Sequence, residues 1–299
     1  MLPPIVLLLL ASLVVWAVAL VRWQQGLTVI PWSPRRPVGW SGWELLAIAF
    51  FHVSLGVVLQ GALAPSLTTL FSGGDTSPAD VQAPTGPPDH QITRLLRSNP
   101  GVGTWLLCAF SAVLVAPLLE EFLFRVLLQG WLEKKERSSR AGFGPFRRWT
   151  RGALPVLLSA LPFALLHWRS DKRILQPNEL LALLTISTVT NLATVVAAVL
   201  FLRGLGSATW RDMGIDFRRV GLDFALAVLG VFAVLGPAYA VLLSVRPLMP
   251  AGIAPDPVPL FLLALALGYI YYRTHRLLPI FVLHALFNGF AVLSLWLAE

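Results

Sequence analysis

Apolar residues fall in long runs along this chain, separated by shorter polar breaks. The runs cover roughly 2–21, 43–64, 104–130, 153–168, 180–202, 221–245, 258–272 and 277–297. Most approach the ~20 residues a helix needs to cross a bilayer. Those at 153–168 and 258–272 are short. The pattern predicts an all-α fold, a polytopic membrane helix bundle of about eight transmembrane helices. The first run contains Ala17-Val18-Ala19, which mimics the small-residue cleavage site of a signal peptide. No Lys or Arg precedes it, Pro3 and Pro4 open it and its apolar stretch is long, so a retained helix is expected.

The breaks differ in character. The stretch 65–100 is rich in Gly, Pro, Ser and Asp and reads as a linker with no helix of its own. The most basic break, 131–152, carries Lys134, Lys135, Arg137, Arg140, Arg147, Arg148 and Arg151, and reads as a solvated face. Residues 203–220 mix apolar and charged positions and read as an interfacial connector. Two regions result: a two-helix region with a Pro/Gly-rich extramembrane loop over 1–100, and a helical core over 101–299. Lys and Arg concentrate in the odd-numbered loops. That bias puts those loops in the cytoplasm and both termini outside, in a cell (plasma) membrane. Trp16, Trp23, Trp40, Trp43, Trp105, Trp131, Trp168 and Trp296 lie near run ends and read as interfacial anchors.

Composition agrees with a bilayer environment. The chain has 299 residues, 56% hydrophobic and 13% charged, against about 25% charged in soluble domains. The net charge of +8 sits in loops and calls for no nucleic-acid partner. A single cysteine, Cys108, excludes an intrachain disulfide and a multi-cysteine metal site; it reads as a small core residue.

Three charges interrupt the third run: Glu120, Glu121 and Arg125. A charge at bilayer depth costs about 2.5–3.5 kcal/mol on insertion scales, so such residues mark protein interiors and function. Glu121 and Arg125 are four apart and can pair on one helix face. Glu120 points about 100° away and is left for other partners. Elsewhere, His52 reads as a packing residue. Thr185, Ser187, Thr188, Thr190 and Asn191 read as interhelical glue. Phe163 and His167 share a face of the fourth run, and His284 and Asn288 a face of the eighth. Two carboxylates, two imidazoles and an amide are the parts for activating water: a carboxylate as general base, with imidazole and amide donors for an oxyanion. The same set could hold one Zn²⁺ through Glu120, His167 and His284. No Gly-x-Ser-x-Gly, His-Glu-x-x-His or Gly-rich phosphate loop is present.

Glu120-Glu121-x-x-x-Arg125, Phe163-x-x-x-His167 and His284-x-x-x-Asn288, in that order and each on an expected membrane helix, resemble the three motifs of the CPBP intramembrane proteases. These are the type II CAAX prenyl endopeptidase and bacteriocin-processing (Abi) enzymes. The approach to the third motif, from Tyr269 to Gly289, is also similar. The resemblance covers about 104–297 and makes 101–299 a CPBP-like core. It implies an intramembrane endopeptidase, glutamate- or metal-dependent, acting on a membrane-associated peptide or protein. Glu120 would activate water with help from His167. Glu121 and Arg125 would hold helix and charge balance, and His284 and Asn288 would stabilise the oxyanion. The alternative is a non-catalytic immunity or secretion accessory protein that binds through the same polar cavity. The gap of about 117 residues between the second and third motifs departs from the family pattern and puts the local topology in question. Depth is a second tension. At ~1.5 Å per residue from the expected span ends, Glu120 and His284 lie about 10–17 Å deep but His167 about 20 Å. They meet only if the fourth span starts deeper or tilts.

Overall fold

The computed structural model describes residues 4–33, 37–72, 91–99, 101–138, 152–168, 175–248 and 257–297. Among these residues the regular structure is helical, with no strand. The helices are α1 (Pro4–Gln24), α2 (Gly42–Phe71), α3 (Gln91–Ser98), α4 (Val102–Ser138), α5 (Ala153–Leu166), α6 (Pro177–Gly204), α7 (Val220–Val245), α8 (Pro257–Thr274) and α9 (Leu277–Trp296). Six rods are long and apolar enough to cross a membrane: α1, α2, α4, α6, α9 and Phe217–Leu248, which contains α7. The chain is an integral, multi-pass membrane protein. The expected spans at 153–168 and 258–272 are the two outside that set. α5 has 14 residues, about 21 Å of helix, against a hydrocarbon core of about 30 Å. Most of the 65–100 linker and the basic run at 139–151 fall outside the described residues.

Two boundaries differ from the hydropathy reading, each for a packing reason. α3 forms inside the expected linker because Leu95 and Leu96 pack against Cys108, Leu180 and Leu181. Cys108 is buried there and unpaired. α4 runs past residue 130 to Ser138, through residues that read as a charged loop. Those charges are partnered along the helix: Gln129 donates to Glu133 at 3.2 Å and Arg137 pairs with Glu133 at 3.7 Å. Glu133 is therefore buried rather than solvated.

α4 is the central rod. Phe122, Val126 and Leu127 on it join Leu267 and Tyr271 of α8 and Leu283 of α9 in the main core. α5 folds back along α4 as an antiparallel hairpin. Its start is fixed by the Gly152 N–H, which donates to Glu136 at 3.0 Å. Gly152 has φ +78 and faces the Tyr272 ring so closely that a Cβ would lie 2.2 Å from it, so only glycine serves here. α2 packs along α6, where His52 Nδ1 meets Thr194 Oγ1 at 3.0 Å. Three of the hydroxyls expected to link helices bond within α6 instead. Thr185, Thr188 and Thr190 donate to carbonyls one turn back in α6 itself, at 2.7–2.8 Å. α1 packs along α7, with Ser12 against Gly236 and the Trp16 indole donating to the Ala233 carbonyl at 3.0 Å.

The odd-numbered connections meet at one end of the bundle. Lys134 donates to the Trp40 carbonyl at 2.9 Å, and Arg273 to Ile30 at 2.8 Å. His275 lies between the Ser33 carbonyl at 2.9 Å and Glu133 at 3.0 Å. Arg276 pairs with Asp223 at 2.7 Å, and the Leu277 N–H donates to Gly214 at 2.9 Å. Trp40 is a correction to the interfacial-anchor reading. It is fully buried, because its indole reaches into the core and donates to the Leu127 carbonyl at 3.1 Å.

Candidate active site

α4 is not a uniform α-helix. Its chain passes through a π-helical stretch at Phe110–Val115, an α-turn at Ala116–Glu121 and a second π stretch at Phe122–Gln129. Both glutamates sit on the α-turn between the two wide stretches. π-turns are rare and recur at functional sites.

The hairpin register resolves the depth conflict. From Glu136 back to Glu120 is 16 residues of α4, about 24 Å; from Gly152 to His167 is 15 residues of α5, about 22 Å. His167 therefore arrives level with Glu120. The earlier mismatch came from ending the third span at 130, eight residues before the helix stops. α9 supplies His284 from two turns inside its start.

Glu120, Glu121, Arg125, His167 and His284 come together. Glu121 Oε1 accepts from His284 Nδ1 at 2.9 Å, and Glu121 Oε2 stands 3.4 Å from Arg125 Nε. Glu120 Oε1 lies 3.9 Å from His167 Nε2, and Glu120 Oε2 lies 3.8 Å from His284 Nε2. The two adjacent carboxylates thus straddle one imidazole, and His284 bridges the ~100° between their directions. His167 Nδ1 donates to its own helix at the Phe163 carbonyl, 2.8 Å away. That bond leaves Nε2 as the nitrogen facing Glu120.

Burial splits the cluster into two sides. Glu121 and Arg125 are 0% exposed and His284 2%, whereas Glu120 is 23% and His167 25% exposed. The closed side holds Glu121 and Arg125, and the open side presents Glu120 and His167. Phe163 is fully buried between them. Its ring lies 5.0 Å from His167, 5.7 Å from His284 and 5.1 Å from the Arg125 guanidinium. Arg125 also donates to the Ser159 carbonyl at 3.4 Å, but its Nε and Nη2 have no hydrogen-bond partner among the described residues. The aromatic face and Glu121 therefore stand in for water around that cation.

Asn288 is placed differently. Its amide donates to the Ala112 carbonyl of the first π stretch at 2.8 Å. Sequence reasoning missed a further buried set below the site. Gln129 donates to the Gly268 carbonyl at 2.9 Å and accepts from Ser159 at 3.2 Å, and Glu133 takes His275. It ties α4, α5 and α8 together. The polar spacing Gln129-x-x-x-Glu133 is the signal that could have found it.

A Zn²⁺ held by Glu120, His167 and His284 needs three donor atoms about 2.0–2.2 Å from one point. Here the two Nε2 atoms approach different oxygens of Glu120 and flank the carboxylate from two sides. Among the described residues no group of three or more His, Cys, Asp or Glu side chains is arranged to hold a metal ion. The donor set does not fit a zinc site.

A family model described as type II CAAX prenyl endopeptidase Rce1-like matches residues 102–290. The chain belongs to this family. The matched region runs from the start of α4 into α9 and contains every member of the cluster. As an Rce1-like protein, the chain falls in a protease family whose substrates are peptides or proteins. The long gap between its second and third motifs is filled by α6, α7 and α8. No curated protein and no solved structure matches the chain.

Proposed function

We propose that this protein is an intramembrane endopeptidase that hydrolyses a peptide bond of a membrane-held substrate with water activated by Glu120. The observation that carries the reading is the flanking of a half-open Glu120 carboxylate by two imidazole Nε2 atoms at 3.9 and 3.8 Å. Gaps of that size are too long for direct hydrogen bonds and suit a bridging water.

His167 spends its Nδ1–H on Phe163, so its Nε2 accepts from the water and orients a lone pair outward. Glu120 takes the water's proton as the oxygen attacks the scissile carbonyl carbon. His284 donates from Nε2 to the developing oxyanion. For that donation the ring carries a proton on each nitrogen, and Glu121 holds the one on Nδ1. Collapse of the tetrahedral intermediate breaks the C–N bond, and Glu120 returns its proton to the leaving amine. Arg125 offsets the second carboxylate. No step passes through a metal.

The family description names the substrate class to try first, a prenylated C-terminal peptide. The cleavage side follows from the loop charges: odd-numbered connections in the cytoplasm, both termini outside, in the cell membrane. Purified protein in liposomes, given a fluorogenic farnesylated CAAX peptide, should release product. Glu120→Gln should lower kcat by about a thousandfold or more, with an unchanged melting curve. Full turnover by a folded Glu120→Gln protein would reject Glu120 as the base. Glu120→Gln that keeps a cellular phenotype while wild-type protein cleaves nothing would favour the non-catalytic accessory reading.

A further inference from the structure

In an α-helix the Ala112 carbonyl would accept from the Ala116 N–H. Here the Ala116 N–H donates instead to Ser111, five residues back. The π register would pass Ala112 on to the N–H of residue 117, and residue 117 is proline, which has none. The Ala112 carbonyl therefore loses both of its helical donors. It sits about two turns before Glu120, inside a membrane helix, where an unpaired carbonyl is costly. Asn288 Nδ2 fills the gap at 2.8 Å from α9. The next residue of α9, Gly289, lies near Val113 of the same π stretch, where a Cβ would make an ordinary 3.7 Å contact.

We infer that Asn288 is a positioning residue that locks the π-step at Phe110–Val115 and so aims Glu120 at His167 and His284. α9 then carries two links to α4, one on each side of the catalytic α-turn. His284 takes Glu121 and Asn288 takes Ala112. Together they set both the height and the rotation of Ala116–Glu121 relative to α9. Loss of the upper link lets the π-step relax toward α-helix. That rotates Glu120 away from the two Nε2 atoms without removing any group that touches substrate. This inference rests on the proposed hydrolysis for its kinetic arm but not for its structural arm.

The test uses Pro117→Ala as a suppressor. Asn288→Leu should lower kcat on the farnesylated CAAX peptide by about tenfold to a hundredfold with KM within about twofold, the signature of lost alignment. Pro117→Ala restores an N–H that can reach Ala112, so the double variant should recover to within about threefold of wild type. An oxyanion donor lost at Asn288 cannot be replaced from position 117. No recovery in the double variant, with the single variant impaired, overturns the positioning role, and so does an unimpaired single variant. The second arm needs no substrate. Hydrogen–deuterium exchange of the full chain in detergent should rise over residues 113–121 in Asn288→Leu and fall back in the double variant. Unchanged exchange overturns the inference even if the protein proves to cleave nothing. Where Asn288→Leu does not accumulate as folded protein, regained folded yield in the double variant supports the lock, and continued loss overturns it.

Discussion

His284 is bonded at one ring nitrogen and left open at the other: Nδ1 meets Glu121 at 2.9 Å, while Nε2 stands 3.8 Å from Glu120, the next residue of the same turn. That arrangement assigns the carboxylates different work. Glu121 is fully buried against Arg125, and in the proposed mechanism its charge holds that cation and the His284 ring. Removing it strands a buried guanidinium, whose remaining contacts are the Phe163 ring and the Ser159 carbonyl. Glu121→Gln should therefore destabilise the protein by about 3–5 kcal/mol, the usual cost of breaking a buried pair from one side. Glu121→Gln combined with Arg125→Met should regain most of that stability while remaining inactive, since His284 has lost its anionic partner. Equilibrium unfolding in mixed micelles reads the first effect and peptide cleavage the second. A double variant no more stable than Glu121→Gln would show that the pair does not act as a unit. The same geometry bears on metals. Because the two Nε2 atoms face different oxygens of Glu120, purified active protein should carry less than stoichiometric zinc by elemental analysis. It should also keep its activity after dialysis against chelator, and activity lost on chelation and regained with Zn²⁺ alone would refute that.

Broken helices are repaired in this protein by side-chain N–H groups from other elements. Pro237 interrupts α7, and the carbonyl it orphans, four residues back, is Ala233. Trp16 of α1 donates to that carbonyl at 3.0 Å. Asn288 does the same for Ala112 in the first π stretch, while Trp40 adds a second donor to a Leu127 carbonyl that already takes the Gly130 N–H. Neighbouring groups re-satisfying a broken backbone is the condition for such breaks inside a bilayer. Trp16→Phe should then weaken α1 docking by about 0.6–1.7 kcal/mol, the range of polar links between membrane helices. Adding Pro237→Ala should remove the penalty, because the restored N–H takes Ala233. Unfolding measured for the four-variant cycle decides it, and additive effects would count against the repair. These repairs also mark where sequence reading stops. Helix existence was legible because apolar runs are long, and the cluster members were legible because charge in such runs is conspicuous. The π-steps were not, since an i→i+5 register leaves no compositional trace. Trp40 looked like an interfacial anchor because hydropathy cannot tell an indole at a membrane surface from one aimed into a core. Glu133 looked solvated because its partners, Gln129 and His275, come from the same helix one turn away and from the α8–α9 joint.

At the scale of the whole molecule, the connections rich in Lys and Arg are brought to one end of the bundle by direct contacts. Ile30 and Ser33 lie against Arg273 and His275, Trp40 against Lys134, and Gly214 against Leu277. The other end is tied by Arg94 donating to Leu175 at 3.2 Å and Asn178 donating to Ser72. Among the described residues the helices other than α3 alternate between these ends, with α5 stopping short at the level of Glu120. A bundle whose basic connections share one end has a defined electrostatic polarity, and the tendency of Lys and Arg to stay in the cytoplasm predicts which way round it sits. Ser207 is exposed at the basic end and Ser98 at the other. In a Cys108→Ala background, Ser98→Cys should react with a membrane-impermeant maleimide in intact cells. Ser207→Cys should react only after the membrane is opened. The opposite pattern would invert the protein and put its basic connections outside. Equal labelling of both positions in intact cells would mean that the charge bias does not set a single orientation. Glu120 stands about 24 Å of helix away from Glu136 at the basic end. Glu120 is 18 residues from either end of α4, Val102 or Ser138, so a substrate from either side must extend a peptide well into the bundle.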